Sequence, residues 1–126
     1  NVAVNCDICN SNIFILADKT QLKQVLSNII KNAIQSIPQS RNDGEVNISA
    51  RTDEKQITIE IKDNGSGIPA DIKERIFTPN FTTKNSGMGL GLAIVKNIVN
   101  NNDGDIWFNS EEGKGTTFFV RFSVIK

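Results

Sequence analysis

The 126-residue sequence predicts one α/β two-layer sandwich (α+β), with about five strands backed by three helices. Three observations point there. A long segment near the start carries apolar residues at helical spacing. Shorter stretches that alternate with period two come in neighbouring pairs. Strands and helices do not follow the strict βα alternation that a doubly wound parallel sheet needs. A chain of this length can bury one sizeable core.

The elements follow in order. Residues 5–15 read as irregular chain leading to a strand, and residues 13–17 as that short strand. Asp18 is a suitable N-cap for a helix reaching about Ile37, with Leu22, Val25, Leu26, Ile29, Ile30, Ala33, Ile34 and Ile37 as its apolar stripe. Pro38, which has no N–H to donate, helps to stop it. Residues 45–51 and 56–62 alternate as two strands joined by a hairpin at 53–55. Residues 65–69 carry turn chemistry, 70–76 a short helical pattern, and 78–89 no period at all. Residues 90–100 are helical, with Leu92, Ile94, Val95, Ile98 and Val99 apolar, and 101–104 turn the chain. Strands at 105–110 and 116–125 close the sequence. No repeat or interdomain linker divides residues 1–126, which read as one domain. The opening on Asn1 rather than Met is expected of a piece of a longer protein.

Composition excludes several classes. Fourteen basic residues balance fourteen acidic ones, so no nucleic-acid footprint or polybasic arm is present. The longest apolar run falls far short of the roughly 20 residues that cross a bilayer; a cytoplasmic location is expected for this domain, with a membrane anchor elsewhere in the full-length protein left open. Cys6 and Cys9 form a CxxC pair, but no further Cys and no His completes a four-ligand zinc set, so ordinary thiols are expected. The absence of His excludes His-dependent nucleophilic catalysis and any internal phosphohistidine.

Four stretches carry candidate chemistry. In SNIIKNA, Asn28 and Asn32 stand one helical turn apart at the border of the apolar stripe. An amide carbonyl is a hard neutral oxygen that suits Mg²⁺, which takes few protein ligands and completes its shell with water and phosphate; border asparagines also satisfy local hydrogen bonds. In IEIKDNGSGIP, period two places Asp63 on the same face as Ile57, Ile59 and Ile61. A carboxylate there needs donors, such as the amino group of a purine, and Gly65 and Gly67 would let backbone approach a flat ring. The competing reading is a hairpin turn, but Pro69 and a helical pattern follow instead of a strand. In TTKNSGMGLGLAIVKN, Gly87, Gly89 and Gly91 have neither dinucleotide nor P-loop spacing. They lead to a helix N-terminus near Leu90, where free N–H groups favour phosphate, and Lys84 adds a positive charge; a flexible surface loop is the alternative. In GKGTTFFVRF, Thr116 shares the inward face of Phe118, Val120 and Phe122, although a Thr at a strand start is ordinary.

Together, and in this order, the four stretches resemble the ATP-binding catalytic domain of two-component sensor histidine kinases. That domain belongs to the Bergerat-fold (GHKL) group, with DNA gyrase, heat-shock chaperone and mismatch-repair ATPases. The resemblance runs from about Phe14 to Phe122. It implies a mixed, mostly antiparallel sheet backed by three helices. SNIIKNA is similar to the N box, which implies Mg²⁺ on Asn32 with Asn28 assisting. DNGSGIP is similar to the first glycine box, with Asp63 accepting from the adenine amino group and Gly65, Gly67 and Ile68 beside it. RIFTPNFTTK resembles the phenylalanine box through Phe77 and Phe81. SGMGLGLAI resembles the second glycine box, an ATP lid comprising Gly87, Gly89, Leu90, Gly91 and Leu92, and GKGTTF resembles the last, with Thr116 near adenine.

Three positions depart from the pattern or divide it. Asn80 interrupts the phenylalanine box, and Gln35 stands where some members have a basic residue, leaving Lys84, then Lys31, as the cation for the γ-phosphate. Hydrolytic members usually place a Glu one turn before the magnesium Asn; Asn28 cannot take a proton at neutral pH. The resemblance thus implies ATP and Mg²⁺ as cofactors, and transfer to a histidine on a separate helical-hairpin domain of the same, homodimeric protein, with a response regulator downstream. It leaves open a serine kinase of the anti-sigma-factor type and a nucleotide-sensing module without transfer. The isolated chain is expected to be monomeric.

Overall fold

The computed structural model describes residues 2–7, 14–15, 19–78 and 89–125. Six strands form one sheet: β1 (Val2–Asp7), β2 (Phe14–Ile15), β3 (Gly44–Thr52), β4 (Gln56–Asp63), β5 (Asp105–Glu111) and β6 (Gly115–Ile125). The spatial order is β1-β3-β4-β6-β2, and β5 also pairs with β6. β1 and β3 run parallel, while every other pairing is antiparallel. The sheet is therefore mixed and mostly antiparallel, with two α-helices, α1 (Lys19–Gln35) and α2 (Gly89–Asn101), and a 3-10 helix, Ala70–Arg75. The expected fold class holds.

Two expectations change in detail. Residues 5–7, read as irregular, belong to β1, whose Val2, Val4 and Cys6 pair with Gly44, Val46 and Ile48. The pairing is parallel and joins segments some forty residues apart, across a connection that contains α1, so no hairpin turn beside the strand announces it. The short helix expected at 70–76 is a 3-10 helix, the form common in short connectors.

The helices pack on one face of the sheet. Val25, Ile29 and Ala33 recur every fourth residue and are buried, forming the inward line of α1, and buried Ile37 continues the spacing just past its end. Leu92, Val95, Ile98 and Val99 do the same for α2, while Ile34 and Ile94, apolar but rotated off these lines, are exposed. The sheet answers with aligned rows. Ile48, Ile61, Phe118 and Phe108 sit side by side across β3, β4, β6 and β5, and Ala50, Ile59, Val120 and Ile106 form the next row. Ile29 and Ile61 are fully buried, and each contributes about 1.5–3 kcal/mol by leaving water. Phe77 packs edge-on against Phe108 and Phe118, with ring centroids 5.9 and 6.3 Å away. On the opposite face, Trp107 stacks on Phe119 at 5.2 Å and the Arg121 guanidinium lies 5.0 Å over the indole.

The end of α2 uses an aspartate where glycine is the usual choice. Gly104 donates its N–H to Val99 at 2.8 Å and Asp103 donates to Asn100 at 3.1 Å, the double bond of a Schellman cap. The left-handed residue between helix and strand is Asp103, at φ 60°. A side chain there costs energy that glycine avoids. Asp103→Gly is therefore expected to raise unfolding free energy by about 1 kcal/mol, measured by urea titration; a lower midpoint would contradict this account of the cap.

Candidate functional site

The same register that builds the apolar rows ends in a polar one. Val46, Asp63, Thr116 and Ser110 align across β3, β4, β6 and β5 at the end of the sheet. Asp63 and Thr116 are the buried polar residues of the described chain, at 4% and 5% exposure. Asp63 is the last residue of β4, so alternation points it toward the helices while the chain leaves the sheet. Its Oδ1 accepts from the N–H of Gly65 at 2.9 Å and of Thr116 at 3.3 Å. The Ser36 hydroxyl gives its proton to the Ala33 carbonyl at 2.7 Å. Burial dominates and pushes the Asp63 carboxyl above its ordinary range, against the two backbone N–H bonds.

The loop after Asp63 is bound to the body of the domain on both sides. Ser66 donates its N–H and its hydroxyl to the Ser36 carbonyl, each at 3.0 Å, tying the loop to the end of α1. Gly113 donates to the Ser66 carbonyl at 2.7 Å, and Ile68 N–H donates to Ser110 Oγ at 2.8 Å, tying it to the β5–β6 hairpin. These contacts give the two glycines a reason other than the one expected. A Cβ on Gly65 would stand 2.7 Å from the Ser36 carbonyl oxygen. Gly67 has φ +75°, and its Cβ would meet the Glu111 carbonyl oxygen at 2.3 Å. Backbone packs against backbone at both positions, so their need for glycine arises within the protein.

The remaining expected residues divide into three groups. Asn28 and Asn32 are half-buried on α1, one turn apart, and Asn32 lies one turn before Ser36 at the anchored loop. Ile68 and Phe77 pack against the core, Leu92 is part of it, and Lys96 of α2 sits 5.1 Å over the Phe77 ring. Gly89, Leu90 and Gly91 open α2, and among the described residues nothing stands within 4 Å of where a Gly91 Cβ would be. Phe81, Lys84 and Gly87 lie outside the described residues, as does Asp18, and Lys31 is exposed. Sequence reading missed Ser36 and Ser110. Ser36 could have been found, since it continues the 28–32 line by one more turn; Ser110 could not, because only strand pairing brings it to Thr116.

A cavity of about 320 Å³ opens at this end of the sheet, but Lys62, Asn109 and Thr117 line it beside Asp63 and Thr116. The first three alternate to the uncovered face, so this hollow is not the space between the layers. Among the described residues no cluster of acidic, Cys or His side chains could hold a metal ion by itself. An ion needing few protein ligands remains compatible with one half-buried Asn. No helix among the described residues is long and apolar enough to cross a membrane.

Because burial raises the Asp63 pKa, its charge opposes folding. The native state holds the proton more tightly than the unfolded chain, so stability increases as pH falls through the native pKa and the full cost is present above it. Asp63→Asn keeps an acceptor and removes the charge. It is expected to exceed the wild type in urea stability at about pH 7, with the difference shrinking by about pH 4, where an unperturbed carboxyl titrates. A gap independent of pH would mean that the buried charge is not its source.

Comparison with known proteins places this geometry. Residues 17–125 match the family model of histidine kinase-, DNA gyrase B- and HSP90-like ATPases. Sporulation kinase A of Bacillus subtilis is 44% identical over 110 residues, covering 87% of this chain and 18% of that protein. Sensor histidine kinase ZraS of Escherichia coli K12 is 48% identical over 104 residues, covering 82% and 22%. The chain thus spans about a fifth of the length of these relatives. Among solved structures, the catalytic domain of histidine kinase ThkA superposes with a TM-score of 0.82 at 32% identity, covering 97% of this chain and 78% of that one. Full-length ShkA in complex with AMPPNP superposes with a TM-score of 0.81 at 26% identity, covering 98% and 26%. With its fold, its buried carboxylate and this match over most of its length, the chain belongs to the histidine kinase-, DNA gyrase B- and HSP90-like ATPase family.

Proposed function

We propose that the chain binds Mg-ATP and presents the γ-phosphate to a histidine on a separate helical-hairpin domain of a two-component sensor kinase, from which a response regulator is charged. The observation that carries this reading is the Asp63 carboxylate, 4% exposed at the end of an apolar sheet face and flanked by Thr116. An acceptor so placed fits the amino group of adenine. Ile68, Phe77 and Leu92 supply apolar surface beside it. The kinase names of the relatives support the choice within the family.

The triphosphate is assigned to the opening of α2, where the first-turn N–H groups of Gly89, Leu90 and Gly91 have no partner within the helix. Gly87 and Lys84, which precede this opening in the sequence, are assigned to the same phosphate role, and Phe81 to nucleotide binding. Asn32 is the Mg²⁺ ligand, and Asn28 orients groups beside it. The ion supplies neutralisation of phosphate charge. Asn28 has no proton-accepting function at neutral pH, so the site holds ATP without activating water, and positioning of the acceptor does most of the catalytic work. The assembled protein is a homodimer in this reading, and this part of it is cytoplasmic.

Calorimetric titration tests the binding roles. Asp63→Ala, with wild-type circular dichroism, is expected to weaken ATP at least about tenfold, or 1.4 kcal/mol, and an unchanged affinity removes Asp63 from the site. Asn32→Ala is expected to abolish the gain in affinity that Mg²⁺ gives the wild type; a mutant that keeps the wild-type metal response places the ion elsewhere.

Labelled ATP tests the chemistry. The chain contains no His, so with γ-labelled ATP it is expected to show no phosphohistidine of its own and slow release of phosphate. A helical-hairpin domain from its own kinase, added in trans, is expected to acquire acid-labile label. Rapid turnover by the chain alone would favour an ATPase and overturn the proposal.

A further inference from the structure

Ser110 carries no role in the reading above, yet its hydroxyl lies where three segments meet. It is within 2.8 Å of Ile68 N, 3.1 Å of the Gly115 carbonyl and 2.8 Å of Thr116 Oγ1. A serine hydroxyl has one proton to give and two lone pairs to fill. Ile68 N–H can only donate and the Gly115 carbonyl can only accept. When all three bonds form, the Ser110 proton goes to Gly115, and the second lone pair must be filled by the Thr116 hydroxyl. Thr116 has then given away its only proton, and what it offers any further partner is lone pairs.

We infer that Ser110 is a positioning residue for base selection: by taking the Thr116 proton, it makes the buried Asp63–Thr116 pair an all-acceptor surface that accepts an amino-bearing purine edge and rejects an oxo-bearing one. This rests on the proposal that adenine binds at Asp63. The two residues are direct cross-strand partners at 4% and 5% exposure, so a carbonyl oxygen facing both would be desolvated with no donor to meet it. Hypoxanthine has an oxygen where adenine has its amino group, and an N1–H where adenine has a lone pair, so it contrasts the two purine edges as wholes. Without the Ser110 hydroxyl, Thr116 regains a proton and can donate to the oxygen. The anchoring of the strand itself has a second support, since Lys73 Nζ donates to the Ser110 carbonyl at 2.7 Å independently of the side chain.

The test measures Kd for ATP and for inosine triphosphate by calorimetry on the wild type, Ser110→Ala and Ser110→Thr. The wild type is expected to prefer ATP. Ser110→Ala is expected to shrink that preference about tenfold, the scale of one unpaired buried polar group, and Ser110→Thr, which keeps the hydroxyl, to retain it. Should the alanine variant fail to fold, Ser110→Cys carries the same expectation, because a thiol is a weak donor and acceptor. Loss of affinity for both nucleotides at an unchanged ratio would reduce Ser110 to a structural anchor and overturn the inference. A wild type that binds both nucleotides equally would also overturn it while leaving the ATP site standing. A wild type that binds neither would remove the ATP site and this inference with it.

Discussion

One carboxylate, buried at the end of an apolar sheet face, organises this domain. Period-two alternation carries Ile57, Ile59 and Ile61 inward and delivers Asp63 to the same face at the point where β4 ends. Burial there is unfavourable for a charge, and the structure meets it with backbone N–H groups of Gly65 and Thr116 instead of a cation. That choice depends on the register of β4 on β6, which sets Thr116 across from Asp63. It also fixes the path of the following loop, which must turn back at once to offer Gly65 N–H.

The loop pays for no contacts of its own; it is held by its neighbours. Ser36 at the end of α1 receives Ser66 from one side, and the β5–β6 hairpin receives Ile68 and gives Gly113 from the other. The glycines permit these backbone approaches. A carboxylate, a threonine and a helix bearing Asn28 and Asn32 are thereby set in one rigid corner, built on sheet and helix. The aromatic group of Phe77, Phe108 and Phe118 extends that corner toward α2, and Lys96 over Phe77 ties the segment after the 3-10 helix to it. Phosphoryl transfer asks the protein mainly for position and charge neutralisation. A site of this construction is suited to that demand, as the proposed role requires.

The two faces of the sheet follow different rules. The covered face is a grid of aliphatic and aromatic rows under the helices. The other has no layer above it among the described residues and is finished by long amphipathic side chains: Trp107 on Phe119 with Arg121 across the indole, and Arg51 against Glu60. Arg121 also meets Asp105 at 2.9 Å. Such pairs at a partly exposed surface add little stability, but they shield the sheet while presenting charge to water.

Local pattern alone determined the helices, the antiparallel strands, the inward face of each strand and the polar end of that face, because the 3.6- and 2-residue periods are properties of the backbone and need no partner to be read. It likewise singled out Asp63 and Thr116, polar residues on apolar strand faces, and Asn28 and Asn32 at the border of the apolar stripe of α1. Tertiary structure decided what no local period encodes. β1 became a strand only through parallel pairing with distant β3, and Asp103 took the left-handed turn next to a glycine better suited to it. Gly65 and Gly67 proved to serve the packing of backbone on backbone. Ser110 joined the site across 42 residues from Ile68, and Thr116 met Asp63 across 53. Hydrogen bonds between segments so far apart depend on register, and register is set by the whole sheet, once its apolar rows have aligned.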